Sequence, residues 1–190
     1  MFAAGMMAGC AATRAPSPQD KDYPPGWPSL IRLDNECHAL DGAYENGGVA
    51  VNPRGVIGVQ QFAELLTLGD VQITRGVSNV QLVVTTRKRD QHQDTFATLH
   101  AVATSPGQEL EREFDAFCVK GVLFFVGSLS SSGDALGFRG EQHNVWLGLA
   151  TDGSLIVKMG NYTVGMLLGV PYGGERVSWA RYERVPQQSR

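Results

Sequence analysis

No apolar run in this sequence of 190 residues approaches the roughly 20 residues that a membrane-spanning helix requires. Charge is sparse: 18% of the residues are Asp, Glu, Lys or Arg and the net charge is −3, so nothing draws the chain as a whole to nucleic acid. The motifs of several common catalytic machineries are missing. There is no Gly-x-Ser-x-Gly elbow to hold a serine nucleophile, no Gly-x-x-x-x-Gly-Lys-Ser/Thr or Gly-x-Gly-x-x-Gly phosphate loop, and no His-Glu-x-x-His zinc pair. Cysteine is scarce, with Cys10, Cys37 and Cys118 alone, and neither Lys nor Arg precedes Arg14.

Glycine is plentiful, with 23 copies spread between short apolar runs, which favours many short strands joined by tight turns. The best helix candidate is Val59 to Leu68, where Phe62, Leu65 and Leu66 share a face and Gly69 supplies a stop. Elsewhere the pattern has period two. Val71 and Ile73 alternate with polar neighbours, and Val80, Leu82 and Val84 form one face of the next run. Arg87 to His92 reads as a hairpin tip, Thr95 to Thr104 as a strand, and Ser105-Pro106-Gly107 as its closing turn. Glu109, Glu111 and Glu113 alternate with Leu110, Arg112 and Phe114, which turns a row of carboxylates to water. The unbroken apolar run Val122 to Val126 predicts burial on both faces. The clearest hairpin spans 145–159, with Thr151-Asp152-Gly153 at its turn, since Gly accepts the positive φ that such a turn demands. Tyr162 to Val170, a turn at Pro171 to Gly174 and a final strand from Arg176 to Arg184 complete the reading. Roughly eight to ten strands at hairpin spacing plus one short helix predict a mainly β domain, an antiparallel sandwich or a small barrel that removes exposed edges.

The N-terminus carries an address. Met7-Ala8-Gly9-Cys10 resembles the bacterial lipobox, in which small side chains precede the cut and the cysteine thiol takes the diacylglycerol. The resemblance implies that residues 1–9 are the end of a signal peptide whose basic start lies upstream, and that Cys10 is lipidated. It also implies that 10–29, with five prolines, is a tether holding a β-rich domain of residues 30–186 off the membrane, with a short tail at 187–190. Ala11 after the cysteine implies sorting to the outer membrane on its periplasmic side. The expected partners are the lipid bilayer, through acylated Cys10, and an envelope protein; no nucleic acid and no cofactor are expected.

With Cys10 acylated, Cys37 and Cys118 remain as a pair. Outside the cytoplasm they are either a disulfide or two separate buried thiols. The histidines, His38, His92, His100 and His143, have no spacing that suits zinc. Gly127 to Gly133, rich in serine, reads as a flexible loop, and Glu109, Glu111 and Glu113 as a solvated face in place of a catalytic pair. Trp146, Tyr172, Trp179 and Tyr182 gather in the C-terminal third, where they either fill a core or line a barrel mouth. Asn161-Tyr162-Thr163 fits a glycosylation acceptor, a pattern frequent by chance.

Met7 to Cys10, the proline-rich stretch, Cys-x-x-Leu-x-Gly-x-Tyr-x-Asn at Cys37 to Asn46, and the hairpin Asp152 to Lys158 followed by a Trp-containing strand together resemble small uncharacterised proteobacterial lipoproteins. That resemblance implies an envelope location and a β-rich fold, and no reaction. Three functions follow as expectations: a non-catalytic structural or interaction module; a lipid or small-ligand carrier of calycin-like type, which Gly42-Ala43-Tyr44 approximates; and a hydrolase with a scattered site. A filled core with a flat apolar patch favours the first, an open apolar cavity the second, and a histidine bonded to a serine or carboxylate in a cleft the third.

Overall fold

The computed structural model describes residues 21–31, 37–67, 76–87, 95–134 and 137–186. Cys10, Val71, Ile73 and His92 lie outside the described residues, as do Leu68 and Gly69. A 3-10 turn at Cys37–Leu40 leads into β1 (Gly42–Glu45), β2 (Gly47–Asn52) and β3 (Gly55–Gln61). Then come α1 (Phe62–Thr67), β4 (Asn79–Arg87), β5 (Thr95–Ser105), β6 (Gln108–Val119) and β7 (Val122–Asp134). The chain finishes with β8 (Gly137–Leu149), β9 (Leu155–Leu167) and β10 (Val170–Tyr182).

The ten strands form one antiparallel sheet in the order β1-β4-β5-β6-β7-β8-β9-β10-β2-β3, curled into a half-barrel. The curl brings β1, at one end of the sheet, against the chain just past β10. Tyr44 of β1 bridges to Arg184, just past β10, while the Glu45 N–H donates to Glu183 O and the Val185 N–H to Ala43 O, each at 2.8 Å. On the opposite side β6 and β7 are paired only next to their turn, from Phe117↔Phe124 to Val119↔Val122, and then part. Period-two alternation fills the concave side. Val80, Leu82 and Val84 of β4 and Leu99 of β5 meet Val145 and Leu147 of β8, Val157 of β9 and Tyr182 beyond it, all buried. Burying each such aliphatic side chain is worth about 1.5–3 kcal/mol before the entropy of ordering it.

The segment Cys37 to Asn46 owes its pattern to packing. Cys37 is bonded to Cys118 of β6 and Leu40 is fully buried. The Tyr44 hydroxyl donates to Leu40 O at 2.9 Å. Buried Asn46 sits at the break between β1 and β2 and starts α1: its Oδ1 accepts from the Ala63 N–H at 2.7 Å, and its Nδ2 donates to Gln61 Oε1 at 2.6 Å and Val77 O at 3.1 Å. Gly48 lies under the Tyr182 ring, where a methyl group would collide, and that ring stacks on Phe62 at 4.6 Å.

The structure corrects four sequence expectations. The helix spans Phe62–Thr67, because β3 runs on through Gln61 and Asn46 caps the chain only there. Gly127 to Gly133 is no loop but part of β7, held by pairing of Ser128 to Gly133 with β8. The last hairpin turns at Leu168 and Gly169, both at positive φ (51° and 80°), whereas Pro171 to Gly174 lies inside β10. There β10 has β9 on one side and β2 joins only at Trp179, so the N–H that proline lacks falls on an unpaired edge. Finally, Val126 is exposed at a bulge between Val126 and Ser128, so the apolar run is buried only from Val122 to Phe125, with Phe124 half-buried.

The described part of the proline-rich stretch is folded onto the outside of the sheet. Leu30 bridges to Ala150 and packs with Ile156 and Trp179, and Tyr23 meets Trp179 edge-on at 5.0 Å. Beneath this segment Lys158, almost wholly buried, lies between the rings of Trp146 (5.7 Å) and Trp179 (5.1 Å), with Asp22 at 4.0 Å.

Candidate functional site

The far halves of β7, β8, β9 and β10 run past the packed core as a four-stranded arm. Register decides what each face carries. On the outer face, Phe138 stands opposite Met166, which stands opposite Pro171. Val164 stands between Gly140 and Gly173, so no neighbouring side chain screens it. Leu129 (77% exposed), Val164 (59%) and Phe138 (51%) therefore protrude from a flat, glycine-levelled surface. At the tip Leu167, Leu168 and Val170 are exposed too, Leu167 and Val170 on the opposite face of the arm.

Next to the body the inner face is polar, whereas towards the tip it carries Tyr172, Leu167 and Val170. One cross-strand row reads Ser128↔His143↔Asn161↔Arg176, and Ser130↔Glu141↔Thr163↔Gly174 lies beyond it. Where the arm meets the body this row forms one wall of a cup of about 530 Å³. Asn52, Ile57 and Gln60 of the β2–β3 hairpin and Glu64 and Leu65 of α1 form the other wall, above a floor of Val145 and Met159. Asn161 Oδ1 is buried without a hydrogen-bond partner. Arg139 pairs with Glu141, and Arg181 with Asp152 at 2.7 Å and Glu183 at 2.8 Å, whereas Arg176 has no ion pair among the described residues. Further out, Tyr172 crosses Gly165, where a methyl group would fall inside its ring.

Of the described histidines, only His143 enters the cup. No hydrogen bond joins it to Ser128 among the described residues. His38 is exposed near Asp41 (3.6 Å) and Thr86 (3.2 Å). His100 lies on the wall of β5 with its Nδ1 3.2 Å from Glu113 and 4.0 Å from Glu111, so the exposed glutamate row has a local partner. No cluster of metal-ligating side chains occurs among the described residues, and no described helix is long and apolar enough to cross a membrane. Of the aromatic group, Tyr182, Trp146 and Trp179 are buried, while Tyr172 alone stands open on the arm.

Cys37 and Cys118 are joined as a disulfide, with Cα atoms 5.9 Å apart. Arg176, Gln60 and Glu64 carry no motif, and only strand register shows that they share the cup with His143 and Asn161. The one sequence signal that bears on them is the period-two alternation of β10, which puts Arg176 and Ser178 on the face of Ala180 and Tyr182. No family model, curated protein or solved structure matches the chain.

Proposed function

We propose that this protein is a lipid-anchored envelope protein, tethered through acylated Cys10 at the outer membrane, that serves as a non-catalytic interaction module. The observation that carries the reading is the arm, a flat apolar face built on four paired strands and projecting beyond a filled core. Monomeric proteins seldom leave such a face open unless something covers it. The Cys37–Cys118 disulfide supports a location outside the reducing cytoplasm, and the lipobox-like Met7 to Cys10 supports the anchor.

A calycin-like carrier is the second reading, favoured by the curl of the sheet and its closing bridge. Against it, the interior is occupied by Phe62, Leu66, Leu99, Phe125 and Leu147.

Two measurements test the proposal. In cells expressing the full upstream reading frame, clickable fatty acid is expected to label the wild type and not Cys10→Ala; equal labelling of both removes the anchor. Photo-crosslinkers placed at Phe138 or Met166 are expected to capture one discrete envelope protein, and the same group at Glu111 is not. Identical patterns from the arm and from Glu111 on β6 would sink the interaction reading.

A further inference from the structure

We infer that the cup between the arm and α1 binds a small organic monocarboxylate, with Arg176 as its anion receptor and Asn161 as a second donor. Register places Arg176 and Asn161 directly opposite each other on adjacent antiparallel strands, so their Cβ atoms are neighbours on the concave face. Arg176 is exposed in the cup and has no carboxylate partner among the described residues. A guanidinium presents a fixed fork that matches a carboxylate with two parallel hydrogen bonds. Asn161 turns Oδ1 into a dry place without a donor. Its Nδ2 has no hydrogen-bond partner among the described residues and is not buried, and Asn161 lines the cup. An amide held in that sense leaves its oxygen unsatisfied, at a cost in stability.

Charge and lining narrow the ligand. Arg176 is the one permanent cation among the lining residues and Glu64 the one carboxylate, on the opposite wall. A single negative charge is matched there, whereas a dianion such as phosphate would bring a second charge towards Glu64 with no second permanent cation to receive it. Val145, Met159 and Leu65 form an apolar floor that suits a short hydrocarbon body. The site stands apart from the apolar outer face of the arm, so it neither needs nor tests the interaction reading.

Calorimetric titration of the oxidised full chain with hexanoate, hexanol and inorganic phosphate tests the inference. Hexanoate is expected to bind at one site per chain, with hexanol and phosphate at least tenfold weaker. Arg176→Gln is expected to weaken hexanoate at least tenfold, and Arg176→Lys, which keeps the charge and loses the fork, to fall between. The amide side-chain resonance of Asn161 should shift on titration of the wild type. Thermal midpoints confirm that the variants fold. Absence of saturable hexanoate binding, phosphate or hexanol binding as tightly, or unchanged affinity in Arg176→Gln would each overturn it.

Discussion

Asn46 holds three separate parts of the chain with one buried side chain. It satisfies the first free N–H of α1 in a buried place, and a carbonyl before β4 and the Gln61 amide in part-buried ones. Asn46→Ala leaves these groups unpaired, at about 1–3 kcal/mol each for a buried group. Urea unfolding is expected to show a loss of at least ~2 kcal/mol; a loss below half of that would mean water replaces the amide. Lys158 poses the opposite case, a cation held between two indoles. Because its desolvation opposes its attractions, Lys158→Met is expected to be neutral or stabilising, while Asp22→Ala, which strips a partner from the buried charge, lowers the unfolding midpoint.

Tyr23 gives a pH signature at the same scale. Burial, then the Asp152 charge, push its phenol up to about 12 despite Arg181, and the hydroxyl donates to Pro28 O at 2.6 Å. The unfolded phenol ionises at 10.0, so this contribution is present in full below that pH and is lost as pH rises towards 12. Tyr162 is raised to about 12 as well, by burial and then by Glu175. Phenolate absorbance should therefore show a late phase that shrinks in Tyr23→Phe; an unchanged late phase would refute the assignment.

At the scale of elements, the hairpins divide by how plainly their turns are written. Asp152-Gly153 is legible because Gly153 takes φ of 86° and Asp152 Oδ1 accepts from both the Ser154 N–H (3.0 Å) and its hydroxyl (2.7 Å). Lys120-Gly121 and Leu168-Gly169 also place both residues at positive φ, yet Lys and Leu give no such signal. Leu168 is strained there and 72% exposed. Leu168→Asn, which suits that conformation, is expected to raise stability by about 0.5–1 kcal/mol in thermal unfolding. A decrease would show that Leu168 packs against something. Pro171-Tyr172-Gly173-Gly174 has the composition of a turn but pairs along β9 as strand, since an unpaired edge tolerates proline and glycine leaves the pairing intact. The serine-rich part of β7 was obscure for a related reason: Ser and Gly carry little β preference, and only β8 alongside holds them extended.

For the molecule as a whole, the disulfide is the main long-range constraint, tying the 3-10 turn before β1 to β6 across 81 residues. Removing it as Cys37→Ala/Cys118→Ala, or by reduction, is expected to cost about 2–4 kcal/mol and lower the unfolding midpoint. An unchanged midpoint would mean that packing of Leu40 and Tyr44 already fixes the segment.

Hydrophobic alternation, turn glycines and cysteine parity are local properties. They determined the mainly β class, the short helix within Val59 to Leu68, the exposed glutamate row, and a cysteine pair free to bond. The bond itself, the closure of the curl through Tyr44 and Arg184, and the Ser128-His143-Asn161-Arg176 row were decided by tertiary structure. Each depends on which strands become neighbours and in what register, and a slip of one residue would send every side chain of a strand to the opposite face. The same dependence makes one side of the arm an apolar surface and the other a polar cup.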